Sequence, residues 1–172
     1  MLHKVVQLGG KSYFWLEKTN VVSMIQEYQV SGFRVREYEE LESTNTEAER
    51  VGWSELEDKM VILTYRQTQG RGQVGNHWES EPGKNISMTV VFKPRELPAG
   101  QQFAVSMVIA LGACDFISRY VSGCSVKWPN DIYVGDRKIS GILIEHSIMG
   151  RYVGGSLCGI GVNINQERFL SD

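Results

Sequence analysis

Cysteine is scarce in this chain and follows no pattern. There are three, Cys114, Cys124 and Cys158, with no C-x-x-C spacing, and the three histidines do not gather around them. That spacing supports neither a disulfide framework nor a zinc site, and reads as reduced, mostly buried thiols in a cytoplasmic protein. Charge of one sign is equally sparse. The formal net charge is -2, with no long basic run, so composition does not indicate a DNA or RNA surface. Long apolar runs are missing too. The longest, Phe103 to Cys114, falls short of the ~20 residues that cross a bilayer, so no membrane partner is expected and the run reads as a buried helix. Gly9 and Gly10 break the short apolar run between Lys4 and Lys11, so no signal peptide is expected there. No repeat or low-complexity segment occurs.

What is present suffices for one domain. The chain has 172 residues, 42% of them hydrophobic, enough to bury a core. Residues 1–23 match no clear period and read as an extension ahead of Met24, or as an added strand over Ser12 to Leu16. Phe33 to Tyr38 alternates as a strand. Thr44 and Glu47 have capping-box spacing for a short helix that ends near Gly52. Met60 to Tyr65 and Asn85 to Lys93 read as strands, with a long polar, glycine-rich loop from Arg66 to Gly83 between them. Gln101 to about Val121 reads as one long central helix. Ser125 to Lys127 is a short strand. Ile132 to Val134 and Arg137 to Ile139 flank a tight Gly135-Asp136 turn, and Ile142 to Ile148 with Tyr152 to Ile160 form a second hairpin. The fold class is α+β, with a mixed or antiparallel sheet backed by helices.

Two segments carry chemistry. Gly70 to Gly75 fits G-x-G-x-x-G, the dinucleotide fingerprint, but that motif must follow a strand directly and open a helix. Arg66 to Gln69 intervene, and Pro82 and Gly83 leave no room for a helix behind it. What remains is a flexible loop with free backbone N–H groups and the cation Arg71, able to wrap a phosphate, with Trp78 as a flat apolar wall. The second segment is Lys127-Trp128-Pro129-Asn130-Asp131. Pro129 forces Trp128 to be extended, so Lys127 projects from a strand end. A lysine in an apolar segment either snorkels to solvent or meets a ligand charge. Asn130 and Asp131 offer oxygens for Mg²⁺ or donors for phosphate, or form an ordinary turn.

Read together, these segments resemble the catalytic core of biotin–protein ligases. The matching stretches are Ser43-Thr44-Asn45, Gln67 with Gly70 to Trp78, Lys127 to Ile132, Asp136 to Glu145, and Gly159 to Asn165. The resemblance runs from about residue 33 onward. It implies a fold related to class II aminoacyl-tRNA synthetases and lipoate ligases. It implies activation of biotin by MgATP to biotinyl-5'-adenylate, then transfer to a lysine of a biotin carboxyl carrier domain. By resemblance, Ser43, Thr44, Asn45, Gln67, Gly72 and Gly141 belong to the biotin site. Arg71, Trp78, Lys127, Asn130 and Asn163 belong to the nucleotide site. Lys127 and Arg71 are the catalytic cations, and Asp131 is the one metal candidate. A homodimer is compatible with this reading.

Three departures from the family pattern stand out. The second and third loop arginines are Gln73 and Asn76 here. The segment before residue 33 is too short for a DNA-binding winged helix, so a repressor role is not expected. Residues 24–172 are expected to be a core incomplete at the C-terminus, since the family continues into a small β-barrel. Two rivals remain: a lipoate–protein ligase or octanoyltransferase, which explains Lys127 and the hairpin but not the Gly70 to Trp78 loop, and an inactive biotin-binding fragment.

The glutamine yields a prediction. A charge-assisted contact exceeds a neutral one by about 1 kcal/mol, or several-fold in affinity. Gln73→Arg is therefore expected to slow release of biotinyl-adenylate several-fold, measured as its dissociation rate; equal rates would place residue 73 away from the phosphate.

Overall fold

The computed structural model describes residues 24–73 and 75–169, and the backbone of 5–8 and 11–14. Strands β1 (Val5–Leu8) and β2 (Lys11–Phe14) pair antiparallel as a two-stranded ribbon, Val5 opposite Phe14. A strand was one of the two readings for this segment; the rest of residues 1–23 lies outside the described residues.

The main sheet has eight strands: β3 (Met24–Val30), β4 (Phe33–Leu41), β5 (Met60–Gln67), β6 (Asn85–Phe92), β7 (Cys124–Lys127), β8 (Asp131–Val134), β9 (Arg137–Met149) and β10 (Tyr152–Asn163). Their order across the sheet is β3-β4-β5-β6-β10-β9-β8-β7. Only β4 and β5 run parallel; the other neighbours are antiparallel. A parallel pair cannot be joined by a hairpin, and helix α1 (Thr44–Val51) lies in the required crossover.

β3 was not legible. Every residue in it is exposed, so it carries no inside–outside alternation. It sits at the sheet edge and joins β4 through Ser31 and Gly32, both at positive φ (50° and 80°), as a two-residue type I′ hairpin requires. β9 corrects a second expectation. It runs unbroken through Ser140-Gly141, where the composition suggested two strands, and the irregularity falls instead at Ile132/Tyr133 of its partner β8. β10 extends to Asn163, three residues beyond the expected end.

The capping box does not form. Ser43, extended at φ -156°, precedes the helix and makes no side-chain cap. The Thr44 amide instead donates to Gln67 Oε1 at 2.9 Å, because β4–β5 pairing sets Gln67 opposite Leu41. Glu47 is thereby released to take two 2.8 Å hydrogen bonds from Arg50. The helix ends as expected at Gly52, with φ 85°. Its buried face packs Ala48 against Tyr38, Leu41, Met60, Ile62, Val91 and Leu157, the first core.

The long helix α2 (Phe103–Ser118) is not central. It lays Ala110 and Ile117 on Ile132, Ile142 and Val162, on the opposite face of the sheet. Its outer side stays apolar and exposed: Met107, Val108 and Leu111 are 49%, 60% and 59% accessible. A helix apolar on all sides gives no periodic cue to which side is buried. By length and composition Ala99–Ser118 would suffice to cross a membrane. Here one side of it covers a sheet.

In β4 the buried Glu37 accepts hydrogen bonds from the Tyr65 hydroxyl and from Gln26 Nε2 (2.8 Å). These bonds hold its carboxyl below the usual range, Tyr65 contributing most. A depressed folded pKa gives stability that is present above the unfolded value and lost as pH falls through the folded one. Denaturant midpoints between about pH 7 and about pH 3 are expected to fall less in Glu37→Gln than in the parent protein. An identical fall in both would remove Glu37 from the acid response.

Candidate functional site

On one face of strand β10 three of four successive positions are glycine, Gly155, Gly159 and Gly161, with Leu157 of the first core between the first two, and β9 sets Gly141 opposite Gly161. Side chains from elsewhere lie directly on this strip. A Cβ on Gly161 would fall 2.2 Å from Trp78 Cε2, one on Gly141 2.8 Å from Trp78 Cζ3, and one on Gly159 2.5 Å from Asn45 Oδ1. No side chain larger than hydrogen fits there. The strip floors a cavity of about 530 Å³, a size suited to a small-molecule ligand.

One wall is the start of α1, with Ser43, Thr44 and Asn45, continued by Gln67 at the end of β5. All three α1-side residues are buried. Asn45 Nδ2 donates to Glu145 Oε2 at 2.8 Å, and its Oδ1 accepts from the Thr89 hydroxyl. Thr89 Oγ1 also lies 2.8 Å from Thr44 Oγ1. The wall is thus a fixed set of polar groups.

The loop forms the roof. Trp78 N donates to Gly70 O at 2.9 Å and Gly72 N to Asn76 O at 3.1 Å, while Arg71 and His77 form an isolated bridge. The expected free amides are therefore partly spent within the loop, which folds as a small ribbon; Val74 lies outside the described residues. No helix follows, in agreement with rejecting the dinucleotide fingerprint. Arg71 is held between two carboxylates, Glu49 at 3.2 Å and Glu145 in a shorter contact. The Trp78 indole N–H is buried without a partner, an unused donor in the cavity lining.

Asn130 and Asp131 also reach the cavity. The Asn130 side chain is committed to the Ile142 carbonyl, which pins the chain to β9. Asp131 pairs with Lys138 at 2.8 Å. Two expected site residues are not brought in. Lys127 is exposed, with Nζ 3.4 Å from the Tyr133 hydroxyl and 4.8 Å from its ring centroid. It takes the snorkelling alternative. Asn163 lines a second, mainly apolar cavity of about 540 Å³ beside the end of α2, with its Oδ1 buried and unpartnered. Sequence reading missed Lys138, Glu145, Thr89, Gly159 and Gly161. The cue for Glu145 was period two, since Gly141, Leu143 and Glu145 share one face.

The chain matches the profile of the Biotin/lipoate A/B protein ligase family over residues 38–163. It is 33% identical over 125 residues to a biotin–[acetyl-CoA-carboxylase] ligase of Paracoccus denitrificans, covering 72% of this chain and 51% of that one. It is 29% identical over 167 residues to the bifunctional ligase/repressor BirA of Escherichia coli, covering 95% and 51%. The chain thus spans about half the length of these curated relatives. Its fold superimposes on a Helicobacter pylori biotin acetyl coenzyme A carboxylase synthetase solved with bound biotinylated ATP, with TM-score 0.65 and 28% identity over 78% of this chain and 63% of that one.

The glycine floor is testable. Gly161→Ala is expected to push the Trp78 indole off the strip and to cost about 1–3 kcal/mol by overpacking. The readouts are the denaturant midpoint and acrylamide quenching, with Trp78→Phe as reference. Unchanged quenching at parent stability would show that Trp78 does not rest on Gly161.

Proposed function

Because the chain belongs to the biotin/lipoate A/B protein ligase family, we propose that it carries the site at which biotin is activated by MgATP and passed to a lysine of a biotin carboxyl carrier domain. The observation that carries the reading is convergence. Segments 43–45, 67–78 and 130–141, far apart in sequence, line one cavity on one glycine floor. The buried hydroxyl and amide groups of Ser43, Thr44 and Asn45, with the half-buried Gln67 amide, offer donors and acceptors to a ureido ring. The floor and Trp78 offer flat apolar contact to the rest of the ligand.

In the proposed first step, a biotin carboxylate oxygen attacks the α-phosphorus of ATP and pyrophosphate leaves. In the second, the carrier lysine amine attacks the acyl carbon and AMP leaves. Arg71 neutralises the carboxylate and phosphate when it leaves its carboxylate partners, which is electrostatic stabilisation of developing charge. Magnesium would come with the nucleotide, and Asp131, a carboxylate in the cavity lining, would be the residue to hold it. A cytoplasmic location follows from the same reading. No nucleic-acid or membrane partner is part of it.

Calorimetry with biotin and with lipoate, and pyrophosphate release with biotin and MgATP, test the proposal. Biotin binding with pyrophosphate release supports it. A preference for lipoate supports the related ligase reading, and binding without pyrophosphate release supports a binding fragment.

The two lysines divide the prediction. Lys127 is the proposed phosphate cation and must swing from Tyr133 to act, whereas Lys138 already stands at the cavity. Lys127→Ala is expected to keep biotin affinity and slow pyrophosphate release about 10–100-fold, the worth of one charge-assisted contact. The same profile in Lys138→Ala alone would transfer the role to Lys138.

A further inference from the structure

Cys114 and Cys124 belong to different elements yet meet. Cys114 sits in the last turns of α2 and Cys124 opens β7, and their sulfurs are 3.3 Å apart. Both are half-buried, and both pack against the second core. Spacing alone had suggested isolated, mostly buried thiols. That holds for Cys158, fully buried in β10, its thiol pushed up to about 12 by desolvation.

We propose that Cys114 and Cys124 form a redox-modification site that closes as an intramolecular disulfide. The bond needs the sulfurs at about 2.0 Å, so they must approach by little more than 1 Å. The co-reactant is a small disulfide such as oxidised glutathione. One protein thiolate attacks a glutathione sulfur, forming a mixed disulfide and expelling one glutathione thiolate. The second protein thiolate attacks the protein-side sulfur and expels the other. Two protein thiols are oxidised, one glutathione disulfide is reduced to two thiols, and the two thiol protons go to buffer or to glutathione.

The bond would staple a weak strand. β7 has four residues and lies at the sheet edge, where β8 is its one strand partner among the described residues. Its other support is α2, where Cys114 lies. The chain continues from β7 directly to Asn130 and Asp131 at the cavity. The disulfide therefore fixes the strand that leads into those two residues.

The test needs no ligand and no catalytic activity. Dilute protein is equilibrated with excess oxidised glutathione at about pH 8.5, where more thiolate is present. It is then acid-quenched, alkylated unfolded and digested with trypsin without reduction. Cleavage after Arg119 separates the two cysteines. The expected product is the peptide Glu96–Arg119 linked to Tyr120–Lys127, two hydrogens lighter than their sum, with Cys158 alkylated. Cys158→Ser should keep the link and Cys114→Ser should abolish it. Three alkylated cysteines, persistent glutathione adducts at Cys114 or Cys124, or a link between two chains would each overturn the proposal. Amide exchange in Ser125 to Lys127 should slow on oxidation and recover on reduction; unchanged exchange in the linked protein would overturn the stapling of β7.

Discussion

A side chain can lie flat on a β-sheet only where the sheet has no side chain of its own. Strand β10 meets that condition at Gly159 and Gly161, and the site depends on it. Gly159 admits the Asn45 amide and Gly161, with Gly141 of β9, admits the Trp78 indole. Asn45 is at the start of α1 and Trp78 is the exit of the loop. The floor therefore fixes how close the helix and the roof come to the sheet, and so the height of the cavity. Gly155 repeats the device outside the cavity, where a Cβ would meet Trp53 at 2.4 Å.

Charge organises what the glycines leave open. Two cations face the cavity, Arg71 and Lys138, and each is paired with carboxylates, Glu145 and Glu49 for the first and Asp131 for the second. Each pair is part-exposed, so its screened attraction is modest and an anionic ligand can compete for the cation. Glu145 has a second task, since it also accepts from Asn45. One carboxylate thus sets both the loop cation and a polar group of the wall, and any shift in one is felt by the other.

The elements legible from composition were those with an alternating pattern or a short run of β-branched and apolar residues. β4, β5, β6 and the hairpin at Gly135-Asp136 fall where their patterns place them. β3 was invisible because an edge strand exposed on both faces has no pattern to read. α2 was visible but misplaced, since an apolar residue at every turn hides which side faces the sheet. In the site, Ser43 to Asn45, Gln67, Arg71 and Trp78 were found from motifs, and the cavity collects them. Glu145 and Thr89 were not found because their roles arise from pairing across strands, which no local motif encodes. Lys127 was nominated by its motif, while its position is set by Tyr133, which β7–β8 pairing brings alongside.

The sheet order has a consequence for how the molecule comes into being. β10 is last in chain order among the sheet strands, yet it stands in the middle, between β6 and β9. Asn45 meets Glu145 across 100 residues, and Arg71 meets it across 74. Contacts of such separation form late, because the chain must close long loops before they repay the entropy. Before β10 inserts, the two halves of the sheet have no shared strand, and the wall and the floor of the cavity do not face each other. Assembly of the binding surface and completion of the sheet are then a single event, with no stage at which a chain lacking its central strand holds a half-built pocket.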